Sequence, residues 1–390
     1  MQTFYSNDER NKVVIKNILL VLLVFFSISS FIKKNKQTTI EEEEPVVEKE
    51  QYNPEADNHN GSIKPEGTIE NITIDDSVSS FVKVEVIDKE GQVIYTPSGK
   101  GYRYGPSILR NDDGSVDMWL ASPGNNSTEW DWIRYRHSDD GENWSDEQVV
   151  LKPTSYSDDQ CSTCDPAVIY FNDYYYLGYT STSDRERNGY NNSVFVARSK
   201  NPDGPYEKWN GDGWGGDPEA ILLFQGNPNW WGIGEVTFII KDNQLHLYYT
   251  YFDQPQVRLD HAIADLTDDW PKTIRDHHIV INPRVSDAVE MVYVEDLELF
   301  LAFAIKDSNG KESTLKILES MDGDNFVEVN YNDYDIEKYA HSLGIEKDKN
   351  GHVKSGEEIL IGYAYGPDWA EWSTKLQTIK ITSTIKNLLQ

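Results

Sequence analysis

Residues 78 to 390 predict an all-β fold, and three observations carry that prediction. A helical period is hard to find in this span, while short alternating or aromatic-rich runs bounded by Gly, Asn and Asp recur throughout. A strand unit also repeats five times along the chain. Four-stranded units of this length, repeated five times, predict a five-bladed β-propeller, which buries sheet faces between blades and leaves only short edges. Two stacked β-sandwiches are the alternative architecture.

The first element is apolar. NILLVLLVFFSISSFI, Asn17 to Ile32, follows Arg10, Lys12 and Lys16 and precedes Lys33, Lys34 and Lys36. With Val13 to Ile15 it approaches the roughly 20 residues that span a bilayer, although Lys16 interrupts it. Residues 1–36 are therefore expected to be a membrane anchor or a signal segment, and Ser27 and Ser29 give a small-x-small cleavage site. Glu41 to Gly67, EEEEPVVEKEQYNPEADNHNGSIKPEG, has too few apolar residues to fold and too many like charges to collapse. Residues 37–77 read as an acidic disordered linker that tethers the propeller of residues 78–390 outside the membrane, at the cell surface or beyond it.

The repeating unit is a short apolar strand, a hairpin, an aromatic strand, a gap, and a strand ending in a Ser-containing turn. GPSILRNDDGSVDMWLAS leads to IRYRHSDDGENW, DPAVIYFNDYYYLGYTS to VFVARSKNPDGPYEKW, and EVTFIIKDNQLHLYYTYF to DHAIADLTDDW. DAVEMVYVEDLELFLAFA leads to LKILESMDGDNF, and a weaker fifth copy runs from HSLGI through EILIGYAYG to LQTIKI. Ser138 to Trp144 and Ser320 to Phe326 share the turn S-x-D-G-x-N-aromatic, whose Trp144 and Phe326 are expected to pack. Strands between Phe81 and Tyr95 are expected to pair into the last blade and close the ring.

Charge excludes one class of partner. With 36 Lys+Arg against 66 Asp+Glu the net charge is -30, and no basic patch follows the first 36 residues, so nucleic acid is not a partner. Two cysteines exclude a disulfide-dense scaffold and a four-Cys zinc site. No phosphate-binding or nucleophile-elbow glycine motif is placed in its required context, and GDGWGG at Gly211 to Gly216 reads as a loop.

In a propeller the first strand of each blade lines a central channel, so the residues opening the repeats converge. They are Gly105, Asp165, Glu235, Asp287 and His341. Crowded carboxylates raise at least one carboxyl pKa, which keeps a general acid protonated, and paired carboxylates are what glycosidic cleavage requires. Trp130, Trp132, Trp230 and Trp231, with Trp369 and Trp372, are placed in Gly- and Asn-rich loops, where rings stack on sugars beside Asn125, Asn126 or Asn229; inter-blade packing is the other reading. His277-His278 reads as a solvent-facing pair in a polar loop without the neighbours of a metal site. Cys161 and Cys164, in C-S-T-C before Asp165, are expected outside the membrane to close a local disulfide that stiffens the loop.

Asp165-Pro166 before an apolar hairpin, Glu235 opening the third unit, and the S-x-D-G-x-N-W turn together resemble the five-bladed propeller glycoside hydrolases of families 43 and 32, over residues 100 to 382. The resemblance implies a glycosidase acting on oligo- or polysaccharide without a required cofactor. Glu235 takes the general acid's role and Asp165 that of the residue that tunes the acid and orients substrate. The first-blade Asp, a base or nucleophile in these families, should precede Pro106, where this chain has Gly105. Asp287 or a loop carboxylate such as Asp131 would then substitute; otherwise the protein is a glycan-binding propeller without turnover. The resemblance also sets His341 beside a possible structural Ca2+ in the central channel, against the alternative of a hydrogen-bonded channel histidine.

Overall fold

The computed structural model describes residues 80–384 apart from 98–100, 127–128, 188, 254–255, 282–287, 330–335 and 368–370. The expected anchor and linker lie outside the described residues. Among those described, no helix is long and apolar enough to cross a membrane, and two short 3-10 turns are the only helical elements.

The strands are antiparallel meanders, and each begins where the sequence units begin. The inner strands are Tyr104–Arg110, Cys164–Phe171, Gly232–Lys241, Glu290–Val294 and Ala340–Lys347. Each pairs antiparallel with a following strand of its own unit, in the second through a tight hairpin, Asn172-Asp173 between Phe171 and Tyr174, where both turn residues have positive φ as a two-residue hairpin requires. The inner strands pack side by side in chain order, and the last returns to the first, where Glu346 and Lys347 pair in parallel with Ile108 and Leu109. A propeller fold follows from this closed ring of meanders. Val82–Val86 and Gln92–Tyr95 both pair with Ser373–Ser383, so the N-terminal strands complete the last sheet as expected.

The core lies between successive sheets. Neighbouring residues on an inner strand face opposite ways, so Val168 joins Leu109, Trp119 and Ile133 of the first unit, whereas Ile169 joins Phe238, Leu245 and Leu247 of the third. Phe238 and Ile239 divide in the same way between second and fourth units, and Met291 and Val292 between third and fifth. Burial on both faces explains why these strands read as continuous apolar runs rather than alternating ones. Each such fully buried side chain contributes about 1.5–3 kcal/mol of transfer free energy.

The shared turn folds identically in both copies. Ser138 Oγ donates to Asp140 Oδ1 at 3.0 Å, and that carboxylate accepts the Asn143 N–H at 2.7 Å and Asn143 Nδ2 at 2.7 Å. Ser320, Asp322 and Asn325 repeat these bonds at 2.8, 2.8 and 2.7 Å. Trp144 and Phe326 pack on inter-sheet clusters, as expected of a structural motif.

Candidate active site

Glu290 is among the residues that line a narrow mouth at the ends of the inner strands, and so are five others, one from each unit: Gly105, Asp165, Glu235, Ala288 and Ser342. The backbones of these five share one unusual conformation, with φ of 56°, 48°, 49°, 50° and 47°. In the first, second, third and fifth units the pairing register slips around this residue, between Tyr104 and Ser107, Cys164 and Ala167, Gly234 and Thr237, and His341 and Leu343. A bulge with a left-handed residue re-aims a side chain, and here it turns each one into the mouth.

This common geometry corrects the sequence register in the fifth unit, where Ser342, not His341, is the ring residue, and it makes Ala288 the ring residue of the fourth. Asp287 itself lies outside the described residues. His341 is turned away from the mouth into a cage of rings, 4.2 Å from Trp372 and 6.4 Å from Tyr104 between centroids. Among the described residues neither of its ring nitrogens has a hydrogen-bond partner, and burial pushes its pKa down to about 4.

Glu235 is half-buried and anchored at both ends. Its N–H donates to Thr180 Oγ1 at 2.9 Å, and its Oε2 accepts the Ala288 N–H at 2.6 Å. Asp165 sits beside the Cys164 thiol, whose Sγ donates to Asp165 Oδ2 at 3.3 Å and to the Thr180 carbonyl at 3.4 Å. Thr180, on the strand Tyr174–Ser181, thus holds the Glu235 backbone through its hydroxyl and the Cys164 thiol through its carbonyl, and nothing in the sequence marked it.

Below the ring, Lys347 is buried and ion-paired to Glu290, and it donates to Thr237 Oγ1 at 3.1 Å. Burial raises the Glu290 pKa, and Lys347 opposes the rise. A calcium ion takes six to eight oxygens. Glu290 is already neutralised by Lys347, and His341 stands among aromatic rings, so these two residues do not fit the possible Ca2+.

The two cysteines are buried free thiols, which corrects the expected disulfide. Cys164 turns toward Asp165 and Thr180, and the intervening Ser162 and Thr163 turn back to Asp131: Ser162 Oγ donates to Asp131 Oδ2 at 2.8 Å, and the Thr163 N–H to the Asp131 carbonyl at 3.0 Å. Asp131 is on a strand, Glu129–Ser138, and is 9% exposed; Tyr102 Oη donates to its Oδ1 at 2.6 Å. It supports the wall behind the ring rather than reaching into the mouth, and burial raises its pKa.

The tryptophans separate. Trp231 is half-buried against Gly234, where an added Cβ would lie 2.6 Å from Trp231 Cη2, so its ring adjoins the residue before Glu235. Trp230 is half-buried, edge-on to Phe252 at 6.1 Å. Trp130 lies on the same strand as Asp131, half-buried. Trp132 is 5% exposed, donates to Glu129 Oε2 at 2.8 Å and carries the Lys152 ammonium 4.2 Å above its ring, which leaves it no face for a sugar. Trp372 is a core residue, and Trp369 lies outside the described residues, as do the side chains of Asn125 and Asn126. Asn229 is exposed and accepts from Arg187 Nε at 3.2 Å. The mouth holds about 30 Å³, whereas a recess of about 590 Å³ lies on the outside of the first unit. In that recess Asp117 is engaged by Tyr135, His137 and Asn111. The smaller mouth is the better site, because ring geometry and the carboxylates of Asp165, Glu235 and Glu290 coincide there; a sugar would rest on it rather than inside it.

The family model for glycosyl hydrolases family 43 matches residues 95–330. Comparison with curated protein sequences finds no significant match. Among solved structures, a family 117 glycoside hydrolase of the marine bacterium Zobellia galactanivorans is similar at TM-score 0.56 and 18% identity, over 77% of this chain and 90% of that one. The endo-arabinase of Bacteroides thetaiotaomicron superposes at TM-score 0.51 and 17% identity, over 73% and 96%. The family 62 α-L-arabinofuranosidase catalytic domain of Coprinopsis cinerea does so at 0.53 and 12%, over 76% and 97%. Identities this low speak for the fold, and with a family model covering more than half the chain, the protein belongs to the glycosyl hydrolases of family 43.

Proposed function

We propose that this protein is a surface-tethered glycoside hydrolase of five blades, residues 78–390, that cleaves glycosidic bonds in oligo- or polysaccharides. The observation that carries the reading is the presence of Asp165 and Glu235 at equivalent left-handed positions of adjacent units in one mouth. In this reading Glu235 is the general acid. Its Oε2 accepts the Ala288 N–H, so the acid proton sits on Oε1 and passes to the departing glycosidic oxygen. Asp165, one unit away, holds substrate and keeps the acid protonated by like charge. Trp230 and Trp231 offer rings at the rim, and Trp130 a third on the wall behind. No cofactor is required for the cleavage in this reading. The base is a carboxylate outside the ring, and Asp287 next to Ala288 is the candidate.

A second reading is a glycan-binding propeller without turnover. It is favoured by Gly105, Ala288 and Ser342, three ring positions with no carboxylate to activate water. The apolar segment before Lys33 and the acidic stretch after it support tethering outside the membrane.

Hydrolysis of aryl pentosides, aryl hexosides and polysaccharides separates the readings. Turnover that falls by about 10²–10⁴ in Glu235→Gln, with saccharide affinity retained, is the expected result for the enzyme. Saccharide binding with no turnover in the unmodified protein would establish the binder.

A further inference from the structure

His261 and His278 face each other across the outer strands Gln256–Asp265 and Arg275–Ile281 of the third unit. The turn of the fourth unit brings Asp324 between them. Asp324 Oδ1 lies 2.9 Å from His261 Nδ1 and 2.8 Å from His278 Nε2, and the three groups present ligand atoms within 4.8 Å of one another. We propose that His261, His278 and Asp324 bind one divalent transition-metal ion of the zinc class, which clips the third unit to the fourth.

Two features set this cluster apart from an ordinary polar contact. Each imidazole has its far nitrogen held by a second partner: His278 Nδ1 by the Asp276 carbonyl at 2.7 Å, and His261 Nε2 by His246 Nδ1 at 3.0 Å. Metal-ligating histidines are oriented in this way, because a fixed far nitrogen fixes the tautomer and the aim of the near one. His278 also points both nitrogens at acceptors. A neutral ring carries one N–H and so satisfies only one of them. A metal ion in place of the Nε2 proton lets neutral His278 donate to Asp276 and ligate at once.

The surroundings fit a fixed site. His261 is 4% exposed and stacks on Tyr248, with centroids 4.3 Å apart, and Tyr248 Oη donates to the Gly323 carbonyl at 3.1 Å, so the turn is pinned before Asp324. Asp322 Oδ1 accepts the Asp324 N–H at 2.9 Å. His278 and Asp324 are each about two-fifths exposed, which leaves an open side for a water as fourth ligand. Two nitrogens and one oxygen suit zinc, cobalt or nickel, and suit calcium or magnesium poorly.

Calorimetric titration of the full-length protein with ZnCl2, repeated with cobalt followed by its visible absorption, tests the site. About one ion per chain is expected, with affinity about tenfold weaker or worse in His278→Ala and in Asp324→Ala. His277→Ala, which alters the adjacent histidine outside the cluster, should stay within about twofold. Circular dichroism confirms that the variants fold. Absence of binding overturns the proposal, as does binding unchanged in both His278→Ala and Asp324→Ala. Displacement of zinc by equimolar calcium overturns the assigned metal class.

Discussion

Gly105→Asp tests whether the first ring position is the seat of the missing base. A Cβ built at Gly105 meets nothing closer than Asp165 Cα at 3.5 Å, Asp165 Oδ1 at 3.6 Å and Pro166 Cδ at 3.8 Å, all ordinary contacts. The backbone at φ 56° is unfavourable for a side chain, yet Asp165 and Glu235 bear theirs at 48° and 49°. The strain is about 1–2 kcal/mol, and Asp tolerates this region better than most residues. For a domain of this size that lowers Tm by about 2–8 °C, so the variant folds. A carboxylate there stands beside Asp165 in the same mouth, and a positioned base contributes about 10²–10⁴ in rate. Initial rates on the best saccharide of the panel are compared for the unmodified protein, Gly105→Asp and Gly105→Asn, which shares the strain without the charge. A gain of at least about tenfold confined to Asp is expected. Equal rates in a folded Asp and Asn pair would refute the reasoning, and the base would have to be sought beyond the ring.

The remaining predictions concern the thiols and the repeated turn. Burial pushes the Cys161 thiol up to about 11 and raises Cys164 as well, so a thiolate-selective reagent at pH 8 should label neither in the native protein and both after denaturation; no labelling under denaturing, non-reducing conditions would restore the disulfide. Backbone and side-chain hydrogen bonds from Asn325 hold the Asp322 carboxyl below its usual range. A depressed pKa stabilises the fold above the unfolded value and loses that contribution as pH falls through it, so the Tm gap between the unmodified protein and Asp322→Ala should narrow below about pH 4. A gap unchanged between pH 6 and pH 3 would contradict it.

The strands were legible because both faces of every inner strand are buried, which forces apolar runs such as AVIYF and VTFII between turn residues. The S-x-D-G-x-N turn was legible for a similar local reason, since all its bonds lie within seven consecutive residues. Asp165 and Glu235 were found because each opens a unit. The one-residue error at His341 arose because a bulge leaves composition unchanged while shifting which residue faces the mouth. The support of Glu235 by Thr180 and Ala288, and the burial of Asp131 behind Tyr102 and Ser162, join residues far apart in the chain. His278 illustrates the limit best. Its neighbours in sequence gave no metal signal, and its partner Asp324 comes from 46 residues away. The tryptophans misled because W-D-W was assigned to a loop, whereas it begins a strand and its second ring is covered by Lys152.

The ring's shared conformation bears on what it is for. If closure of the inner strands were its whole purpose, glycine would be the economical residue at every ring position, since it takes a left-handed φ without a Cβ penalty. Gly105 is the only glycine among the five. Ser342 and Ala288 keep side chains at φ 47° and 50°, each with a strain of about 1–2 kcal/mol, offset in part by about 0.4–1 kcal/mol of unfolded-state entropy that glycine would add. Ser342→Gly should therefore leave stability unchanged or raise it by up to about 1 kcal/mol, read as a denaturant midpoint that holds or rises at constant slope. If the Ser342 hydroxyl faces the saccharide, the same variant should bind it more weakly, because a polar partner at the mouth is lost. Stability held while affinity falls would mean that the ring accepts strain for the sake of its ligand. A loss of more than about 1 kcal/mol would instead mean that Ser342 is a structural residue and that the ring conformation is no strain at all.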